Sequence, residues 1–211
     1  MTASLVVVAE TRVRLIEATI ECILEEGFYR ASSNRIAKRA GVTWGVIQHH
    51  FGTREGLLLA AFQAGMRELI DTLESAAIVG ETFEMRLESL ADVIWTFYRQ
   101  PRFVAYEELT LNLLRDPTID AATARHVRRQ QARIGELLTS LANEVVDDEL
   151  TSVLPPLALF QILRGLAIGL ELTDAVPGRA RRATGRVNER QVLLNALTAL
   201  AHAHGAVSPL R

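Results

Sequence analysis

Residues 27–58 read GFYRASSNRIAKRAGVTWGVIQHHFGTREGLL, with two short helical patterns on either side of Gly41. Ser32 or Ser33 can cap the first helix, because a serine hydroxyl accepts hydrogen bonds from the free amides of a first helical turn. Gly41 falls where the chain must turn sharply, a position that usually needs positive φ, and glycine adopts it without steric cost. Thr43 then caps a second helix. The spacing predicts a helix-turn-helix.

The second helix has two chemically different sides. Val46, Ile47 and Phe51 are apolar and pin the helix to its neighbours. The residues left on the outer side, where a DNA groove is within reach, are Trp44, Gly45, Gln48 and His49. From Phe28 to Arg54 the chain has five basic residues and no acidic one, although the whole chain has a net charge of −2. Contact with nucleic acid is therefore expected to be local.

The motif is carried by more residues than the turn alone. They are Gly27, Ser32, Ile36, Ala37, Ala40, Gly41, Val42, Thr43, Gly45, His50, Phe51, Arg54, Glu55 and Leu58. This constellation resembles the DNA-binding domain of the TetR/AcrR family of bacterial transcriptional regulators, over roughly residues 11–62. One position departs from the family, which usually has a phosphate-contacting tyrosine where this chain has Gln48.

The chain as a whole is predicted to be all-α. It has only 13 glycines and 6 prolines among 211 residues, fewer turn-forming residues than globular proteins usually contain. Apolar spacing and proline positions place helices at about 11–26, 53–78, 83–99, 103–115, 119–146, 156–175 and 188–204, besides the helix-turn-helix. The apolar stripe of the first is assigned to Val13, Ile16, Ile20, Ile23 and Leu24. The Arg-rich segment 177–186 is expected to be a solvated loop.

The resemblance implies about nine helices in two domains. We expect a flexible tail over residues 1–10, a helix-turn-helix DNA-binding domain over 11–56, and a ligand-binding and dimerisation domain over 57–211. The expected function is that of a ligand-responsive transcriptional regulator, a repressor by the family's habit. The alternatives are an activator or an effector-independent DNA-binding protein of the same fold.

The expected DNA contacts divide into two kinds. Arg35, Lys38, Arg54 and His50 are candidates for phosphate contacts, which supply salt-dependent affinity, and a solvated helix face is the alternative for Lys38. Thr43 lies at the positive end of the second helix and can also donate to a phosphate. Gln48 can pair with adenine or remain a plain surface residue, and Trp44 contacts either DNA or the first helix. The full predicted set is Ser33, Arg35, Lys38, Thr43, Trp44, Gly45, Gln48, His49, His50 and Arg54.

The last two predicted helices are apolar on more than one side, which indicates a partner surface. Two such helices and their copies would form a four-helix interface, whereas a wholly internal core is the alternative. A homodimer also matches a palindromic operator, because one recognition helix reads only a few base pairs. The predicted interface is Phe160, Leu163, Gly165, Ile168, Gly169, Leu172, Val192, Ala196, Leu197 and Leu200.

The effector is the least determined part of the function. Aromatic residues cluster between positions 95 and 106, as they do in ligand cavities, although ordinary core packing explains them nearly as well. Polar residues on helices expected to be internal add candidates. The predicted set is Trp95, Tyr98, Phe103, Tyr106, Glu107, Asn112, Gln161 and Arg164, for an effector that is apolar or aromatic.

Other classes of protein have little support in the sequence. The single cysteine, Cys22, cannot form an internal disulfide and is expected to be buried in a protein of the reducing cytoplasm. The histidines lack metal-ligand spacing, and the sequence has neither a phosphate-binding glycine loop nor a nucleophile elbow, so we expect no enzyme, catalytic residue, metal or cofactor. No stretch approaches the length of a membrane span, and Leu5–Val8 is too short for a signal peptide, so a soluble cytoplasmic protein is expected.

Overall fold

A computed structural model describes residues 2–115, 119–175 and 188–204, with side chains from Val8 onward and without that of Ala175. Within these ranges the chain forms ten helices and no strand, which confirms the all-α prediction. The helices are α1 Thr2–Glu26, α2 Ser33–Arg39, α3 Trp44–Phe51, α4 Arg54–Ser75, α5 Phe83–Tyr98, α6 Pro101–Arg115, α7 Ala121–Asn143, α8 Asp148–Thr151, α9 Pro156–Ala175 and α10 Glu189–Ala203. The short α8 was not predicted, and segment 177–186 lies outside the described residues.

The first helix differs from its prediction at both its start and its buried face. α1 begins at Thr2, so residues 2–10 are helical where a flexible tail was expected. Val13 and Leu24 are 58% and 39% exposed, whereas Leu15, outside the predicted stripe, is fully buried. The buried face of α1 also includes Thr19, which is fully buried. A threonine can be buried here because its hydroxyl donates a hydrogen bond to the Leu15 carbonyl at 2.8 Å. The prediction counted only apolar residues, so it left this hydrogen-bonded threonine out and set the buried face too far to one side of α1.

Contacts divide the chain into two compact units. The N-terminal unit consists of Met1–Leu69 and Pro101–Gln131, and the C-terminal unit of Ile70–Gln100 and Ala132–Arg211. The predicted domain boundary at residues 56 and 57 therefore does not coincide with the division by contacts. α6 and the first part of α7 belong with the helix-turn-helix, because α6 packs directly on α1.

In the N-terminal unit, α6 is held by α1, by the α1–α2 connection and by α4. Arg102 pairs with Glu17 of α1 at 3.0 Å, and Glu108 accepts from the Phe28 amide at 2.8 Å. Tyr106 lies so close to α4 that a Cβ on Gly65 would stand 2.4 Å from its ring. These contacts attach α6 to three parts of the same unit.

In the C-terminal unit, α5 packs against both α9 and α10. Its buried residues recur at helical spacing and include Leu87, Leu90 and Ile94. At the surface of the α5–α10 contact, Arg190 pairs with Asp92 at 2.5 Å and His202 with Glu84 at 2.9 Å. An apolar face and two peripheral polar pairs thus fix α10 on α5.

Candidate DNA-binding surface

The turn between α2 and α3 depends on Gly41. This residue has φ +65°, the left-handed conformation that glycine adopts most easily. Its amide donates to the Lys38 carbonyl at 3.2 Å, and the Val42 amide donates to the Ala37 carbonyl at 2.9 Å, so both of these carbonyls in the last turn of α2 are satisfied. The predicted turn is confirmed.

The capping predictions are correct in position but not in mechanism. Ser32 precedes α2 and Thr43 precedes α3, both with the extended backbone of an N-cap. Neither side chain accepts a hydrogen bond from its helix. The Thr43 hydroxyl is thus not engaged in capping α3, and Thr43 is exposed at the amino end of that helix.

α3 has the two sides that its sequence predicted. Ile47 is fully buried and anchors the helix in the unit. Gln48 and His49 are exposed, and Trp44 is 36% exposed. A Cβ added to Gly45 would meet only the Thr43 hydroxyl, at 3.7 Å, so the backbone here is open to a close approach from outside. The four residues predicted to reach a groove therefore form one uncovered surface.

Arg54 occupies a place inside the N-terminal unit that differs from the predicted phosphate contact. Its Nη2 donates to the Phe28 carbonyl at 3.1 Å, and its Nε donates to the Ala31 carbonyl at 3.3 Å. The side chain is half-buried and its guanidinium lies over the Phe28 ring. Since these donors serve the backbone between α1 and α2, the structure gives Arg54 a structural role.

The cations of α2 are partly neutralised by carboxylates of α1. Arg35 pairs with Glu26, and Arg39 pairs with Glu21 and Glu25. Among the described residues Lys38 has no ion pair or hydrogen-bonded partner, and it is exposed. These three cations line an open groove of about 560 Å³ together with Glu26 and Cys22. The predicted burial of Cys22 is confirmed. Ser33, the first residue of α2, is half-buried.

The carboxyl end of α3 is held by Arg12, a residue that the sequence analysis did not select. Its Nη1 donates to the His50 carbonyl at 3.0 Å, and its guanidinium carbon lies 4.4 Å from the centre of the Phe51 ring. Burial lowers the pKa of His50 below its ordinary value, and the charges of His49 and Arg12 act in the same direction. The only signal in the sequence for this role of Arg12 is that a cation stands four residues before Ile16, which is buried.

The predicted interface residues of α9 and α10 fall into two groups. Phe160, Leu163 and Leu197 are buried within a single chain, as the alternative of an internal core would place them. Leu172 and Val192 are 47% and 55% exposed. The others are exposed or half-buried: Gly165, Ile168, Gly169, Ala196 and Leu200.

α9 carries more apolar surface than the described part of the chain covers. The expectation that no stretch approaches the length of a membrane span is wrong for Pro156–Asp174, which is long and apolar enough to cross a membrane by length and composition and is only 28% buried. One such helix is weak evidence for a membrane span, and the half-buried Arg164 and buried Glu171 lie inside it. Exposed apolar patches of this kind also mark protein–protein contacts.

The predicted effector residues are divided between the two units. Trp95, Tyr98, Gln161 and Arg164 belong to the C-terminal unit, where the Arg164 guanidinium stacks on Tyr98 at 5.3 Å. The remaining four, which belong to the N-terminal unit, are Phe103, Tyr106, Glu107 and Asn112. Phe103 and Tyr106 are at most 3% exposed. Core packing, the alternative reading, accounts for these two rings.

A separate cavity of about 250 Å³ lies in the N-terminal unit, between the start of α4 and the start of α7. Its lining includes Thr53, Gly56, Leu113 and Thr123, and none of the predicted effector residues. Among the described residues no group of three or more His, Cys, Asp or Glu side chains is placed to hold a metal ion.

Comparison with known proteins agrees with this geometry. Residues 15–61 match the bacterial regulatory proteins of the tetR family. The chain is 41% identical over 81 residues to the HTH-type transcriptional regulator BetI of Serratia proteamaculans, an alignment that covers 38% of this chain and 36% of that protein. It is 31% identical over 146 residues to BetI of Escherichia coli O139:H28, covering 58% of this chain and 72% of the relative.

The fold extends beyond the matched segment. The multidrug binding protein EbrR in complex with ethidium superposes with a TM-score of 0.58 at 23% identity, covering 90% of this chain and 98% of that one. A helix-turn-helix with an exposed second helix, followed by further helices, defines a DNA-binding transcriptional regulator. The chain belongs to the tetR family of bacterial regulatory proteins.

Proposed function

We propose that this protein is a repressor that binds a palindromic operator as a homodimer and is released by a small-molecule effector. The observation that carries the proposal is the uncovered side of α3, where Trp44, Gln48 and His49 are exposed while Ile47 is buried. A helix anchored on one side and polar on the other can enter a major groove without unfolding. Gln48 supplies base recognition, and Lys38 and Arg35 supply phosphate contacts.

Exposed apolar residues on α9 and α10 support the proposed dimer. Leu172, Val192 and Leu157 each expose about half of their side chain on α9 and α10, and Gly165 and Gly169 leave an open strip between them on α9 because no atom stands within 4 Å of a Cβ at either. Small residues allow close approach of a second helix. We assign this surface to a second copy of the chain, which would place two recognition helices about one turn of DNA apart, roughly 34 Å.

For the effector, we propose a cavity in the segment 57–211 that takes an apolar or aromatic molecule. Two features support this: the aromatic side chains Trp95 and Tyr98 stand among helices of the C-terminal unit, and the similarly folded EbrR was solved with the aromatic cation ethidium. Binding would shift the separation of the two recognition helices and so lower operator affinity. A protein with this role would act in the cytoplasm.

The decisive experiment is a mobility-shift assay on the intergenic DNA upstream of the protein's own gene, followed by footprinting. One discrete palindromic footprint, occupied by a dimer, is the expected result. Diffuse protection would favour an architectural DNA-binding protein, and no retardation of any fragment would refute the proposal. A thermal-shift screen then tests the effector, and a response confined to polyanionic metabolites would contradict an apolar or aromatic ligand.

Activation is distinguished from repression by transcription in vitro. With purified polymerase and the footprinted promoter, the protein is expected to lower transcript yield, and the effector to restore it. Rising yield on addition of the protein would identify an activator. Operator affinity that no compound changes would identify an effector-independent regulator.

A further inference from the structure

The carboxyl end of α1 places three carboxylates beside the cations of α2. Glu26 pairs with Arg35, while Glu21 and Glu25 pair with Arg39. Two of the three cations that α2 contributes to the surface are therefore neutralised by the protein itself. The local positive charge that the sequence shows between residues 28 and 54 is reduced in the folded chain.

The position of Glu26 in α1 is unfavourable for a carboxylate by itself. Glu25 and Glu26 stand in the last turn of α1, which contains no basic residue. The carboxyl end of a helix carries a partial negative charge and disfavours a nearby anion. The pairing with α2 offsets this repulsion, so the helix alone does not account for an acidic residue here.

The two side chains of the Arg35–Glu26 pair differ in their exposure to solvent. The Arg35 side chain is 58% exposed, whereas that of Glu26 is 23% exposed. A phosphate approaching from solvent can therefore reach Arg35. A phosphate bound there competes with Glu26 for the positive charge of Arg35, and the Glu26 carboxylate then stands close to the DNA backbone.

We propose that Glu26 competes with DNA phosphate for Arg35 and thereby limits affinity for the DNA backbone. The inference rests on the proposed DNA-binding function. Phosphate contacts carry no sequence information, so weakening one lowers binding to all DNA equally. Fewer molecules are then held on non-specific sites, which greatly outnumber operators. Glu26 is a determinant of general affinity, acting through Arg35.

The salt dependence of DNA binding follows from the same competition between Glu26 and phosphate for Arg35. A cation that neutralises a phosphate releases counterions, which steepens the fall of affinity with salt. In the wild type Glu26 already neutralises part of the charge on Arg35, so fewer counterions are released when a phosphate binds there. Without the carboxylate the full release remains.

The test is Glu26→Gln, measured by fluorescence anisotropy over a range of salt on operator and scrambled duplexes. Affinity is expected to rise about two- to fivefold on both duplexes at low salt, the range set by an exposed ion pair. The slope of log affinity against log salt should steepen by up to about 0.9. Glu10→Gln is the matched control, because it removes the same charge from an exposed position on α1 and should leave the slope unchanged.

A double-mutant cycle tests whether Glu26 changes DNA affinity through Arg35. In an Arg35→Gln background, Glu26→Gln should no longer change affinity or slope. A gain that persists in that background, or one that Glu10→Gln reproduces, would show a general charge effect and overturn the proposal. Unchanged affinity of Glu26→Gln would also overturn it. Failure of the wild type to bind any duplex would instead refute the DNA-binding function itself, so the two failures are distinguishable.

Discussion

The guanidinium of Arg54 donates to the backbone carbonyl of Phe28 at 3.1 Å, and its central carbon lies 5.2 Å from the centre of the Phe28 ring. It also donates to the Ala31 carbonyl from Nε and Nη2, both at 3.3 Å. The first residue of α4 therefore fastens the connection between α1 and α2. A residue selected as a phosphate ligand is in this structure a support for the helix-turn-helix.

Arg54→Ala should lower the free energy of unfolding by about 1–3 kcal/mol, because it removes charged hydrogen bonds to partly buried carbonyls. Chemical denaturation measures the loss. Lys38→Ala, at an exposed cation, is the control and should change stability by less than about 0.5 kcal/mol. If Arg54→Ala is as stable as the wild type yet binds every duplex more weakly, the phosphate role would be correct after all.

Gly65→Ala and Gly135→Ala should have opposite effects on stability. A Cβ at Gly65 would stand 2.4 Å from the Tyr106 ring, whereas a Cβ at Gly135 meets no atom within 4 Å. Overpacking costs about 1–3 kcal/mol, while alanine in an open helix gains up to about 1 kcal/mol over glycine. Thermal unfolding of both variants checks the sign. Equal shifts would mean that α6 does not approach α4 this closely.

Gln48→Ala should weaken binding to the operator and leave binding to scrambled duplex unchanged. The reason is that a glutamine pairing with adenine contributes about 1–3 kcal/mol of discrimination against other bases. Parallel titrations of the two duplexes at one salt concentration measure the difference. Equal losses on both would assign Gln48 to the DNA backbone, as for the family tyrosine that it replaces.

Leu172→Glu and Val192→Glu should each convert the dimer to a monomer. Both side chains are about half exposed on the proposed interface, and a carboxylate there would be buried without a partner. Sedimentation at micromolar concentration reports the mass. Leu111→Glu, which introduces the same charge at a 46% exposed leucine of α6, should remain dimeric. A wild type that sediments only as a monomer would refute the interface.

The stability of the C-terminal unit should depend on the proton of Glu171. Burial raises the pKa of this carboxyl above its ordinary value of 4.5, Arg99 opposes the shift, and Asp174 adds to it. The folded state therefore holds the proton at higher pH than the unfolded chain does. The stabilisation is complete below about pH 4.5 and is lost as pH rises through the folded pKa.

Glu171→Gln removes this dependence, so its melting temperature relative to the wild type should increase from pH 4 to pH 7, by an amount on the order of a few degrees. Calorimetry at several pH values measures it. A difference that stays constant across the range would contradict a raised pKa at this position.

The sequence by itself determined the structural features that depend only on residues close together in the chain. Gly41 fixed the turn because left-handed backbone is cheap only for glycine. The spacing of Ile47 against Trp44, Gln48 and His49 fixed which side of α3 faces solvent, because the period of a helix does not depend on distant residues. Proline positions likewise predicted the start of α9 at Pro156, where the structure begins it.

Only the tertiary structure decided what the charged and aromatic side chains contact. Arg12 donates to a backbone carbonyl of α3, Arg54 donates to carbonyls of the α1–α2 connection, and Arg35 pairs with Glu26, because long cationic side chains bind whichever acceptor the packing brings within reach. Leu163 faces its own core although its spacing also suits an interface. Such partners lie far apart in the sequence, and no local pattern encodes a contact that exists only after helices from separate segments have packed together.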